Sequence, residues 1–195
     1  LLERDLRLVE LTGARYHAAQ LSTREAVAAV RRAKDRGLPV SADVSPHHLM
    51  LNELEVEGYR TFAKVRPPLR SEEDRRALVA GLADGTLDAI ASDHRPQDQD
   101  EKRLPFADAE FGTIGVETML PVALGLVHDG TLGLLDLLDR LTRAPADLLG
   151  LDAGRLEVGR AADLVLFDPE RPWRIELADL HSLAKNTPFE NRLVQ

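Results

Sequence analysis

An α/β fold built on a parallel sheet is predicted by three observations. Short apolar segments alternate with amphipathic helical patterns between residues 3 and 92, the turns joining them are short, and the helices carry recognisable start and stop residues. The first helix, near residues 2–12, sets Leu2, Leu6 and Val9 on one face and stops at Gly13. A strand over 14–20 follows. Thr23 then caps a helix over 24–36, whose buried stripe is Ala26, Val27, Val30 and Ala33 and whose end is Gly37. Residues 39–44 read as the second strand. Ser71-Glu72-Glu73-Asp74 opens a helix to about residue 83, acidic in its first turn as the helix dipole prefers. Residues 87–91 are the third strand. A polar loop over 97–103, five of its seven residues charged, is too acidic to be core and reads as an active-site loop. Two helices complete this part, near 115–127 and 134–149, the second with a polar face suited to an outer helix.

Beyond Gly150 the texture changes. The runs 154–159 and 162–168 read as a turn and strands without helices, so a boundary is placed near residue 150, giving units 1–150 and 151–195. Trp173 is expected to pack the second unit. The chain opens at Leu1 inside a helical pattern and stops at Gln195 after a polar turn, and so reads as a piece of a longer protein.

Composition narrows the partners. With 44% hydrophobic and 30% charged residues, the chain is ordinary globular material. The net charge of −8 and the lack of any Lys/Arg run argue against nucleic acid. No apolar run is long enough to span a bilayer, and no signal-peptide pattern is present. Zero cysteines exclude disulfides and thiolate metal sites and are consistent with a cytoplasmic setting.

Asp93 is the leading candidate for chemistry. An apolar strand ends there and a Pro-interrupted polar loop follows, which in a parallel α/β fold places the carboxylate at the mouth where strand ends converge. Such a group ligates a metal or moves protons; the alternative is a cap or loop solvator. His47 and His48 look like a ligand pair, but as neighbours on a strand they diverge, and structural roles are expected for both. His94 either orients Asp93 or packs. His128 and His181 are expected at the surface.

Taken together, Tyr16-His17-Ala18-Ala19-Gln20-Leu21-Ser22-Thr23, Ser45-Pro46-His47-His48-Leu49, Lys64-Val65-Arg66-Pro67-Pro68-Leu69-Arg70 and Ser92-Asp93-His94-Arg95-Pro96 resemble the dihydroorotases of the cyclic-amidohydrolase group. The resemblance, to the form encoded beside aspartate carbamoyltransferase, extends to Glu110-Phe111-Gly112, Gly115-Val116-Glu117-Thr118 and Lys185-Asn186-Thr187-Pro188-Phe189. It implies the later part of a (β/α)8 TIM-type barrel, which takes roughly 250 residues when complete, plus part of a small β-sandwich. It also implies a role in pyrimidine biosynthesis, the reversible hydrolysis of dihydroorotate to N-carbamoyl-aspartate by a zinc pair. In that chemistry the residue at Asp93 ligates zinc and carries the proton, while Phe111 and Gly112 contact substrate.

Three positions depart from the family pattern. Gln20 stands where a zinc-ligating His is usual, and an amide oxygen is a poorer zinc ligand than imidazole. Arg66 replaces a substrate-contacting Asn, and Gln97 replaces a His that meets the substrate carboxylate. His17 is expected to face outward to the helices, away from Gln20, and so not to compensate. These departures raise a second reading: a catalytically silent dihydroorotase-like subunit that scaffolds aspartate carbamoyltransferase.

Overall fold

Side-chain caps fix where the helices begin. Thr23 Oγ1 accepts from Ala26 N–H at 3.2 Å and Ser71 Oγ accepts from Asp74 N–H at 3.2 Å, each satisfying a first-turn donor that has no partner inside its helix. The computed structural model describes all of residues 1–195. Its order is α1 (Leu2–Thr12), β1 (Tyr16–Ala18), α2 (Arg24–Asp35), β2 (Val40–Val44), α3 (Pro46–Met50), α4 (Glu72–Ala83), β3 (Ala89–Ile90) and α5 (Gln99–Lys102). Then come α6 (Val116–His128), α7 (Leu134–Leu141), α8 (Arg143–Leu149), β4 (Trp173–Arg174) and β5 (Leu193–Val194).

The three leading strands are parallel, in the order β1-β2-β3, with Ala18 opposite Ala42 and Val44 opposite Ile90. Ala18, Val40, Ala42, Val44 and Ile90 join the main hydrophobic cluster together with α1, α2, α4, α6 and α7. That face of the sheet therefore carries the helices. All three strands are shorter than the apolar runs suggest, although ladder bonds continue beyond them: Leu21 N–H donates to Asp43 O, Asp88 N–H to Ala42 O and Ala91 N–H to Val44 O.

Four sequence expectations change. The single helix expected over 134–149 is two, broken at Thr142 (φ −129°, ψ −77°), just ahead of Pro145, which has no N–H to continue the ladder. The loop over 97–103 contains α5, capped by Asp98, whose side chain accepts from Asp100 N–H at 2.8 Å. His47 and His48 lie on the short helix α3, opened by Pro46, rather than on a strand. No strand forms over 154–168; the only pairing beyond α8 is β4 with β5, antiparallel. An isolated extended run has no ladder partner to hold it. Residues 156, 158, 164, 165 and 166, apolar as they are, stand exposed.

A second cluster joins the two parts of the chain. Leu51, Ala63, Val65, Leu69, Ile114 and Val122 meet Ile175, Leu180, Phe189 and Val194, with Trp173 packed on them. No helix is long and apolar enough to cross a membrane.

Candidate active site

Gln20 and Asp93 follow β1 and β3 and both hold positive φ, 54° and 45°. These kinks turn each side chain off its strand toward the other. Gln20 Nε2 donates to Asp93 Oδ1, and Arg95 Nε donates to the same oxygen at 2.8 Å. An Arg95 terminal nitrogen reaches Gln20 Oε1 at 3.4 Å and closes a ring of three side chains. Arg95 and Asp93 form an ion pair in which the carboxylate is 2% exposed and the guanidinium 42%.

The other carboxylate oxygen is different. Asp93 Oδ2 and His47 Nε2 are 3.5 Å apart, both buried, and neither has a hydrogen-bond partner. Burial pushes the His47 imidazole well below its ordinary range, helped by His48 and Arg95, so the contact is between a neutral ring and a carboxyl rather than an ion pair. Burial also raises Asp93 above the usual carboxylate range, against the pull of Arg95 and Gln20 and with a push from Asp43.

Around this pair the packing is tight. Gly115 opens α6, and a Cβ there would lie 2.2 Å from Ser92 O, so only glycine lets α6 start this close to the β3 end. Gly112, at φ 122°, would put a Cβ 2.6 Å from Arg95 Cβ. Asn186 ties the mouth together: its Nδ2 donates to Arg95 O at 2.9 Å and Gly112 O at 3.1 Å, and its Oδ1 accepts from Gln97 N–H at 3.1 Å. Lys64 Nζ donates to Phe106 O, Ala107 O and Ala109 O and lies 4.5 Å from the Phe111 ring centre. Lys102 is fully buried and donates to Lys64 O and Glu110 O; burial, then the Lys64 charge, push its ammonium down to about 8 against the pull of Glu110.

Of the residues predicted from sequence, the structure brings Gln20 and Asp93 into contact. Gln97, Phe111 and Gly112 join as one neighbouring group. Gln97 Nε2 is bonded to Phe111 O at 2.9 Å, while the Gly112 N–H and carbonyl are bonded to Lys64 O and to Asn186. Arg66 is exposed and makes no hydrogen bond or ion pair. His17 does not face the helices as expected. Its Nδ1 meets Ser41 Oγ and its Nε2 meets Asp43 Oδ2, both at 2.8 Å, on the sheet face opposite Ala18 and Ala42. The alternation argument fails because β1 ends at Ala18 and the kink at Gln20 resets the direction. Asp43 nonetheless links the two, accepting from Gln20 N–H at 2.8 Å.

His94 does not orient Asp93: its Nδ1, acting as acceptor, takes the N–H of Gly115 at 3.1 Å and caps α6. His48 is structural as expected, bonded to Ser45 Oγ and Pro67 O. His128 and His181 are exposed. The sequence reading gave His47 a structural role and did not single out Arg95. Arg95 left no clear signal, because its approach to Asp93 depends on the kink at Asp93, where φ is 45°.

These donors do not make a metal site by themselves. No three His, Asp or Glu side chains converge as a ligand group. Asp93 Oδ1 is taken by an amide and a guanidinium, which leaves Oδ2 and His47 Nε2 as the only free pair beside a fixed positive charge. A zinc ion wants four ligands and no cation at contact distance.

The chain is 45% identical over 196 residues to the dihydroorotase of Anaplasma phagocytophilum, and 51% identical over 191 residues to that of an Anaeromyxobacter species. The matches cover 100% and 97% of this chain and 44% of each relative, so the chain spans less than half their length. The L-hydantoinase (dihydropyrimidinase) of Arthrobacter aurescens superposes with a TM-score of 0.91 at 30% identity, over 99% of this chain and 44% of that one. The architecture is thus part of an amidohydrolase TIM-type barrel. A model of the amidohydrolase family matches residues 4–192, and the chain belongs to that family.

Proposed function

We propose that this chain is the later portion of a dihydroorotase, opening the ring of dihydroorotate reversibly to N-carbamoyl-aspartate in the cytoplasm. One observation carries the reading: a buried strand-end carboxyl, Asp93, with one oxygen unpartnered and its proton affinity raised by burial. Such a group takes a proton from the attacking water and returns it to the leaving ring nitrogen. The water oxygen bonds to the ring carbonyl carbon, the carbon–nitrogen bond breaks, and the nitrogen leaves protonated. Asp93 is regenerated. Arg66, exposed and uncommitted, suits a carboxylate of the substrate. The Gln97, Phe111 and Gly112 group forms the adjoining wall, held rigid by Asn186 and the two lysines. Zinc accompanies this chemistry in the family, but at Asp93 Oδ1 the Gln20 amide and the Arg95 guanidinium occupy the place a zinc would take. The segment over 151–195 is proposed as part of a small β-sandwich.

The test is turnover of dihydroorotate by the intact protein. Asp93→Asn keeps the shape and removes the base, so activity should fall by about 10²–10⁴-fold. Wild-type turnover that survives this change sinks the assignment of Asp93. A second reading, a catalytically silent subunit that scaffolds aspartate carbamoyltransferase, draws on the clamp of Gln20 and Arg95 over Asp93 Oδ1. No turnover from the wild-type protein, together with co-purification of the carbamoyltransferase, would favour it.

A further inference from the structure

Asp93 Oδ1 receives two donors, and one of them carries a full positive charge. We propose that Arg95 is the resident cation of this mouth, filling with Gln20 the electrostatic position at Asp93 that a metal ion would otherwise take.

The backbone of Arg95 is held on both sides. Its N–H donates to Thr113 O at 2.8 Å, and its carbonyl accepts from Asn186 Nδ2 at 2.9 Å. Its Cβ lies against Gly112, where no side chain could intrude. The stem is thereby aimed inward although the guanidinium is partly exposed. From that stem, Nε meets Asp93 and a terminal nitrogen meets Gln20 Oε1. The amide in turn presents its Nε2 to Asp93 Oδ1, which orients Gln20 as a donor to the carboxylate. Gln20 is therefore doing something other than replacing a histidine poorly. Its oxygen, the only atom of the amide that binds zinc, is turned to Arg95. Charge and orientation together close the position: a divalent ion placed at Oδ1 would have to displace two donors and sit beside a guanidinium.

Metal occupancy is read without substrate, so the result is independent of the reaction the mouth performs. The experiment is zinc binding by the intact protein, measured by competition with a chromogenic chelator and by elemental analysis. Wild type, Asp93→Asn, Arg95→Gln, Arg95→Lys and the double variant Arg95→Gln/Asp93→Asn are compared, each checked for an unchanged thermal transition. Arg95→Gln keeps the length of the stem and removes the charge. Wild type and Asp93→Asn should carry the same zinc content. Arg95→Gln should gain a zinc affinity about 10- to 100-fold above wild type, Arg95→Lys should gain little, and the double variant should lose the gain. Wild-type zinc that disappears in Asp93→Asn would overturn the proposal. So would a folded Arg95→Gln variant whose zinc affinity matches wild type.

Discussion

Leu82 belongs to a cluster of 21 buried residues drawn entirely from residues 6–137, whereas Phe189 belongs to one of ten, six of which come from before residue 123. Between these clusters the chain runs through residues 151–166, where Val158 and Leu166 are essentially fully exposed. The contrast separates two ways of becoming ordered. The βα units bury their apolar faces on one another, so their order is their own. The final segment has two short strands and little else, and what holds it is the surface on which Ile175, Leu180 and Phe189 land.

The largest expected effects break this comparison most directly. Leu82→Ala should cost about 2–5 kcal/mol and lower protection throughout the helices, because it opens a cavity in the shared core. Phe189→Ala should cost a similar amount, about 3–5 kcal/mol, but locally. Hydrogen exchange should quicken first at the Ile175 and Asn191 amides, which bond Arg192 O and Ile175 O. Equal loss of protection in α2 and α4 would mean that the two parts form one cooperative unit.

A second change concerns a buried cation in the first part of the chain, Lys102. The Lys102 ammonium titrates at about 8 in the folded chain, below the ordinary value of 10.5. Between those pH values the unfolded chain holds more protons, so this group makes unfolding costlier as pH rises. The rise should amount to roughly 3 kcal/mol across the window, and Lys102→Met should flatten it in denaturant titrations from pH 7.5 to 10.5. A rise of the same size in the variant would assign it to another group. The smallest effect belongs to the exposed run: Leu166→Ser should shift stability by no more than about 0.5 kcal/mol, and a larger loss in a urea titration would show that this side chain has a packing partner.

Much of the sheet was legible because caps and periodicity act locally. Thr23, Ser71 and Gly13 mark helix ends in the sequence and do so in the structure, Gly13 at φ 68°. The break at Thr142 was legible too, through Pro145, but the Leu-rich spacing around it overrode that signal. At the site, Asp93 was readable as a strand-end carboxylate, and the contact of Gln20 with it follows from the two strand ends. His47 was not readable, because its place beside Asp93 depends on how α3 leaves β2 relative to β3, a distance of 46 residues along the chain. Lys102 was hidden for a different reason. Its acceptors are main-chain carbonyls, and these leave no trace in residue identity.

The positive φ angles at Gln20 and Asp93 set an alphabet for anyone re-equipping this mouth. A left-handed backbone tolerates Gly, Asn, Asp and His far better than branched side chains. Gln20→His and Asp93→Asn fall inside that alphabet, so chemistry can be exchanged at either place while the backbone keeps its direction. Thr, Val or Ile at either place would straighten the kink before its side chain had any chemical effect.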